Sequence, residues 1–295
     1  MSVPTLTLRP SNPNHLPLHL HVSSPSTPMS LLRRSLRLRR RLSSISAAAV
    51  RQDTWTQAPL TLIEPASSDG SLFHVAVDIS ASPDLVSSHT RPGQYLQLRP
   101  PPPAEKPAFL AIASPPSLAA SDGVFEFLVK SVPGSPAEVL CGLRSGDVVE
   151  LSAVMGSGFQ VGRISPPEEA RTVLIFATGS GISPIRALIE SGFNANERSD
   201  VRLYYGARNL QRMAYQERFK AWESSGVQIL PVLSQPNEMW KGEQGYVQSA
   251  FARAKQIIDP SSTGAVLCGH KQMAEDVISV LVADGVPKDK ILMNF

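Results

Sequence analysis

Cysteine is nearly absent from the 295 residues: Cys141 and Cys268 are the only two. Two distant thiols build neither a disulfide framework nor a four-thiolate zinc or iron–sulfur site, so metal or cluster chemistry would have to come from a partner. Acid is missing from one end. Residues 1–52 hold eight arginines and no Lys, Asp or Glu. Of the 28 basic residues, 20 therefore lie beyond residue 52 against 25 acids, a net of −5, which removes the electrostatic basis for nucleic-acid binding by that part. Long apolar runs are missing too. Stretches such as VLIFA at 173–177 have the length of strands, far below the roughly 18 residues of a membrane span. What is present, 42% hydrophobic and 18% charged residues, suits one large or two modest soluble domains with real cores.

The acid-free segment 1–52, rich in Ser, Pro and Arg and without a continuous apolar core, reads as an organelle transit peptide. Its Ser/Pro-rich start favours the plastid, while LLRRSLRLRRRL at 31–42 keeps the mitochondrion as the alternative.

Beyond it, two periods succeed one another. From 53 to 165 short apolar stretches alternate with period two, as in Phe73, Val75, Val77 and Ile79, and again in Phe125, Phe127 and Val129. Strands are predicted at 60–64, 73–79, 94–99, 125–129 and 147–151, which together suit a small antiparallel barrel or sandwich. From 166 to 295 the pattern becomes strand–helix alternation. Strands are predicted at 171–177, 201–205, 227–233, 265–268 and 290–293, and helices near 184–191, 213–223, 246–257 and 271–283. Such alternation implies a mainly parallel sheet whose ligands bind beyond the carboxyl ends of its strands. Tyr215, Phe219 and Trp222 share one face of the predicted 213–223 helix and should pack on that sheet.

The loop after the first strand of this half reads ATGSGISPIRALIE at 177–190. Gly179 and Gly181 let the main chain approach an anion; Ser183 is the expected N-cap and Pro184 the expected first helical residue, leaving free amides for a diphosphate. Gly181→Val is accordingly expected to block nucleotide binding with the fold retained. The next strand ends in Gly206 and Arg208 instead of the acid that an ordinary NAD dehydrogenase uses for ribose.

With these residues in place, the chain resembles the ferredoxin–NADP reductase family over about 58–295. The likeness rests on TGSGISPIRALI at 178–189, LYYGARNLQRMAYQERF at 203–219, PVLSQP at 231–236, GYVQ at 245–248 and VLCGHKQM at 266–273; in the first half it rests on PGQYLQL at 92–98, GLRSGDVVEL at 142–151 and GSGF at 156–159. The resemblance implies a two-domain fold, a flavin-type antiparallel β-barrel over 53–165 followed by an α/β nucleotide-binding domain over 166–295. It implies an NAD(P)H oxidoreductase that passes hydride to FAD and onward to an unidentified small-molecule or protein acceptor, without a metal. Carried over by position, Thr178, Gly179, Ser180, Gly181, Ile182, Ser183 and Pro184 would hold the diphosphate, and Gly206 and Arg208 would border the adenosine. Ser234, Gln235 and Tyr246 would flank the 2′ position, where neutral Gln235 leaves NAD versus NADP open. Arg208, Arg212 and Tyr246 are then the candidates to meet a 2′-phosphate. Cys268 and Gly269 would lie beside the nicotinamide. Phe295 would be the terminal aromatic on the flavin ring, and Gln94, Tyr95, Ile112, Ala113, Ser114 and Lys130 would face the flavin.

The chain departs from the family at its main flavin motif. Where relatives carry Arg-x-Tyr-Ser, this sequence has Ala108, Leu110 and Ala111, and Ala137 replaces the hydroxyl residue of a second phosphate motif. The same resemblance therefore leaves a second reading open, a nucleotide-binding regulatory or interaction module without flavin.

Overall fold

The computed structural model describes residues 55–102, 106–254 and 257–294; the segment 1–52, read above as a transit peptide, and Phe295 lie outside them. The period-two region forms six strands, β1 (Thr56–Pro65), β2 (Leu72–Asp78), β3 (Tyr95–Arg99), β4 (Ala108–Ala111), β5 (Val124–Lys130) and β6 (Val148–Leu151). They pair antiparallel in the order β4-β3-β6-β1-β2-β5. A bridge between Ile112 and Phe127 links the two ends into a nearly closed barrel, which leaves little free edge. Alternate residues such as Leu60, Val77, Leu96, Phe125 and Leu151 fill its interior. Three short helices, α1 (Pro83–Ser88), α2 (Pro116–Asp122) and α3 (Pro136–Cys141), connect the strands. Strand β4 was not foreseen, because four residues of Ala, Phe and Leu beside a proline-rich stretch carry no clear alternation.

The second half forms a parallel sheet of β7 (Thr172–Thr178), β8 (Asp200–Ala207), β9 (Gln228–Leu233), β10 (Glu243–Gln244), β11 (Thr263–Cys268) and β12 (Ile291–Met293), in the order β10-β9-β8-β7-β11-β12. Its main helices are α4 (Ile182–Glu190), α5 (Phe219–Ser224), α6 (Val247–Ala254) and α7 (Lys271–Ala283). Successive side chains of β7 serve opposite faces: Val173, Ile175 and Ala177 belong to one apolar cluster with residues of α4 and α5, Leu174 and Phe176 to another with residues of α6 and α7. Both faces are covered, so the strands read as continuous apolar runs.

The predicted helix at 213–223 is corrected. Tyr215 takes a left-handed conformation (φ 63°), and the α-helix begins only at Phe219. A single helical face is therefore not what unites Tyr215, Phe219 and Trp222, although their rings do pack together. Tyr215 also crosses to the barrel, stacking on His74 of β2 with ring centroids 4.9 Å apart.

Helix α4 is buried from Ile182 to Ile189, Arg186 included. Arg186 pairs with Glu126 of β5 and Glu190 of its own helix, and lies 5.2 Å from the centroid of the Tyr215 ring. Glu190 also accepts from Arg218 and from Trp222 Nε1. Elsewhere Arg212 donates to Asp69 of the β1–β2 hairpin at 2.6 Å. These ties fasten the nucleotide half to the barrel.

Candidate active site

Strand β7 has β8 on one side and β11 on the other, so the connections diverge from it at the ends of β7 and β11, the switch point where open parallel sheets form their ligand crevice. Thr178 ends β7, in register with Gly206 of β8, and Cys268 ends β11 beside Ala177. The Thr178 hydroxyl accepts a hydrogen bond from the His270 N–H at 2.9 Å. Gly269, at φ 138°, passes so close that a β-carbon there would collide with the same hydroxyl. The phosphate loop and the Cys268–His270 corner are thus interlocked.

Within the loop the two glycines do different work, which corrects the expectation for Gly181. A β-carbon on Gly181 would lie 2.5 Å from the Cys268 carbonyl oxygen, so this glycine serves backbone packing, and a branched residue would displace the corner itself. Gly179 is the open one. It has φ 55° and would meet nothing within 4 Å, and both it and Ser180 are exposed. A diphosphate fits above Gly179, where the leading amides of a helix lack internal acceptors.

The capping expectation is corrected as well. The turn Gly179–Gly181 runs directly into α4 at Ile182, so Pro184 is the third helical residue. Ser183 is buried, and its hydroxyl donates to the Ala111 carbonyl at the end of β4. It joins the coenzyme loop to the barrel instead of capping the helix.

On the adenosine side, Gly206 admits α6, since a β-carbon there would strike Val247. Arg208 is exposed, and its carbonyl accepts from the Gln235 N–H at 2.7 Å; Ser234 N–H donates to Ala207 at 3.0 Å. Tyr246 is 67% exposed after Gly245, a free aromatic face at the end of the sheet. Arg212 is taken by Asp69. Burial pushes the Cys268 thiol up to about 12, so it stays protonated at neutral pH.

The barrel residues are mostly spent on the barrel. Gln94 is buried; its Oε1 accepts from the N–H groups of Thr90 and Arg91 and its Nε2 donates to Gly156. Ile112 N–H donates to Gln94 O, Ala113 N–H to Glu126 O, and Ser114 Oγ accepts from Glu126 N–H. Lys130 sits at the exposed end of β5, opposite Leu72. Tyr95 and Ala111 form a part-exposed pair across β3 and β4, next to Phe109, which is 66% exposed.

The coenzyme loop fits a nicotinamide dinucleotide. A resident FAD does not fit. Ala108 and Ala111 offer no donor, and Leu110 is turned into the barrel core. At the Gly134–Ala137 turn, Gly134 N–H already donates to Glu138 Oε2 at 2.7 Å, while Ser135 Oγ accepts from Glu138 N–H. A carboxylate thus occupies the amide where a flavin phosphate would need to sit.

Two residues that tie the halves together escaped sequence reasoning. Arg186 lies on an apolar helical face, where a cation signals a buried partner; the acid that answers it, Glu126, is 60 positions away. Asn294, buried, donates to the Gly93 carbonyl at 3.4 Å and holds the chain end against the barrel. No local pattern marks it. Among the described residues there is no cluster of metal-ligating side chains and no helix long and apolar enough to cross a membrane.

Comparison with known proteins agrees with this geometry. A family model, the oxidoreductase NAD-binding domain, matches residues 175–278. Fruit protein pKIWI502 of Actinidia deliciosa is 50% identical over 99% of this chain and 94% of that protein. The xylene/toluene monooxygenase electron transfer component XylA of Pseudomonas putida is 27% identical over 76% of this chain, which spans 62% of that protein's length. Among solved structures, the ferredoxin NADP+ reductase of Neisseria gonorrhoeae with bound FAD and NADP shares the fold, with a TM-score of 0.65 at 16% identity, covering 81% of this chain and 98% of that one. The chain belongs to the family of fruit protein pKIWI502, carries an oxidoreductase NAD-binding domain, and shares the fold of ferredoxin–NADP reductases.

Proposed function

We propose that the chain is an NAD(P)H-dependent oxidoreductase that binds the coenzyme across the β7–β11 crevice and delivers hydride to an acceptor on the barrel side. A flavin is the acceptor class that the family supports, with electrons passing onward to a small molecule or protein. The observation that carries this reading is the interlock of Thr178 and Gly181 with Cys268–His270, which leaves Gly179 open above the first turn of α4. In this arrangement the Gly179 and Ser180 amides grip the diphosphate, Tyr246 offers a face to the adenine, and Gly269 lets the nicotinamide approach the sheet. The protonated Cys268 thiol packs beside the ring and orients it, and the Ser183–Ala111 hydrogen bond fixes the loop against the barrel strand that borders the acceptor.

With Arg212 held by Asp69, Arg208 is the cation placed to meet a 2′-phosphate. On the composition of residues 1–52 we place the mature protein in the plastid stroma. The test is an absorbance titration with NADH and NADPH in the presence of flavin: coenzyme oxidation with matching flavin bleaching supports the reading, and coenzyme binding without oxidation reduces the protein to a nucleotide-binding module.

A further inference from the structure

The misfit of FAD has a consequence for what the acceptor is. We propose that flavin is a diffusible substrate of this protein, recognised by its isoalloxazine ring and not by its phosphate tail, so that riboflavin, FMN and FAD are accepted alike and none is retained. The proposal rests on the oxidoreductase reading given above.

Three places argue against a held tail. At α3, the carboxylate of Glu138 accepts from Gly134 N–H, so a phosphate arriving there meets a negative charge and finds the Gly134 amide already engaged. At β4, Ala108 supplies no cation, and Leu110 packs inward with the barrel core. At Ile112 and Ala113, the N–H groups are consumed by Gln94 and Glu126, so the segment has no main-chain donor there to offer in place of the absent side chains.

The surface for a ring persists. On β3 and β4 the outward residues Tyr95, Ala111 and Phe109 form an aromatic and small-residue face, with Phe109 66% exposed. Its Ala111 end is tied to α4 through Ser183, next to the coenzyme loop. Gly156 packs on the Tyr95 ring and Phe109 stays open, and a partly open aromatic face beside a hydride donor suits a planar apolar acceptor that comes and goes. The step balances without any further reagent: hydride leaves C4 of the dihydronicotinamide for N5 of the flavin, a proton from water goes to N1, and NAD(P)+ and dihydroflavin depart.

The experiment uses the full chain, freed of small molecules by dialysis, with riboflavin, FMN and FAD as probes in binding titrations and in anaerobic NADPH oxidation. Expected are a colourless protein, affinities for the three flavins within about threefold of one another, and reduction of all three. Introducing Ala108→Arg, Ala137→Ser and Glu138→Gln together should then tighten FAD by about 30-fold relative to riboflavin, as phosphate seats return. FAD that survives dialysis near one per chain, or binds about 30-fold tighter than riboflavin to the unaltered protein, overturns the proposal. NADPH binding with no reduction of any flavin also overturns it, while leaving the coenzyme site intact. Failure of NADPH itself to bind sinks the underlying reading.

Discussion

The two halves of this protein keep their inherited fold equally well but not their sites. In the parallel-sheet half the site is made of main chain: Gly181 against the Cys268 carbonyl, Gly269 against Thr178, Gly206 beneath Val247. Each of those glycines is a packing requirement, so the frame around the proposed coenzyme seat is guarded by the stability of the fold, while Gly179 at the seat itself is not. In the barrel half the corresponding site depends on side chains, and Ala108, Leu110, Ala111 and Ala137 show that these can change while the barrel satisfies its own polar groups through Gln94, Ser114 and Glu126. A site built from backbone resists erosion; a site built from side chains does not.

The sharpest way to break this contrast is at the tie between the halves. Arg186→Met leaves the half-buried Glu126 without its cation, while Glu190 keeps Arg218, and is expected to cost about 3 kcal/mol, read as a lowered denaturant midpoint. Gly181→Val should come next, destabilising by about 3 kcal/mol because its side chain strikes backbone, whereas Ala137→Ser in the barrel should change stability by less than about 0.5 kcal/mol. Equal effects from the two would abolish the distinction between guarded and unguarded sites.

Acid sensitivity belongs to the barrel. Burial holds the His89 imidazole down to about 4 from an ordinary 6.5, so the folded state binds fewer protons than the unfolded one. The stability this group contributes is present above pH 6.5 and is lost as pH falls toward 4, by about 3 kcal/mol in all. Denaturation curves at pH 7 and pH 4.5 should therefore differ less in His89→Leu than in the unaltered protein; an unchanged difference would remove His89 from the account.

Smaller effects map the coenzyme. Arg208→Gln should weaken NADPH by about fivefold and leave NADH unchanged, the signature of a single exposed contact to a 2′-phosphate. Identical losses for both coenzymes would assign Arg208 to another role.

Much of the same contrast was visible in the sequence. Alternation in 73–79 and 125–129 announced barrel strands, and the apolar runs of 173–177 and 265–268 announced buried parallel ones, because burial on one or two faces writes directly into periodicity. The glycine-rich strand-to-helix turn at 179–181 was legible from its glycines between an apolar run and a helical pattern. What escaped depends on long-range partners. Ser183 looks like a cap until β4 offers it the Ala111 carbonyl, Gly181 looks like an anion seat until β11 arrives beside it, and Tyr215 looks helical until its ring is drawn onto His74. Four-residue β4 had too few positions for any period to show.

The most direct measurement is calorimetric titration of the full chain and of Gly179→Ala with NADPH and NADH. The open position of Gly179 means that a methyl group there enters the diphosphate's space while its φ of 55° costs the fold about 1 kcal/mol. Expected are saturable binding at one site in the unaltered protein and at least about tenfold weaker binding in the variant, which remains folded. No saturation with either coenzyme, or equal affinity in protein and variant, would contradict a coenzyme site at the β7–β11 crevice.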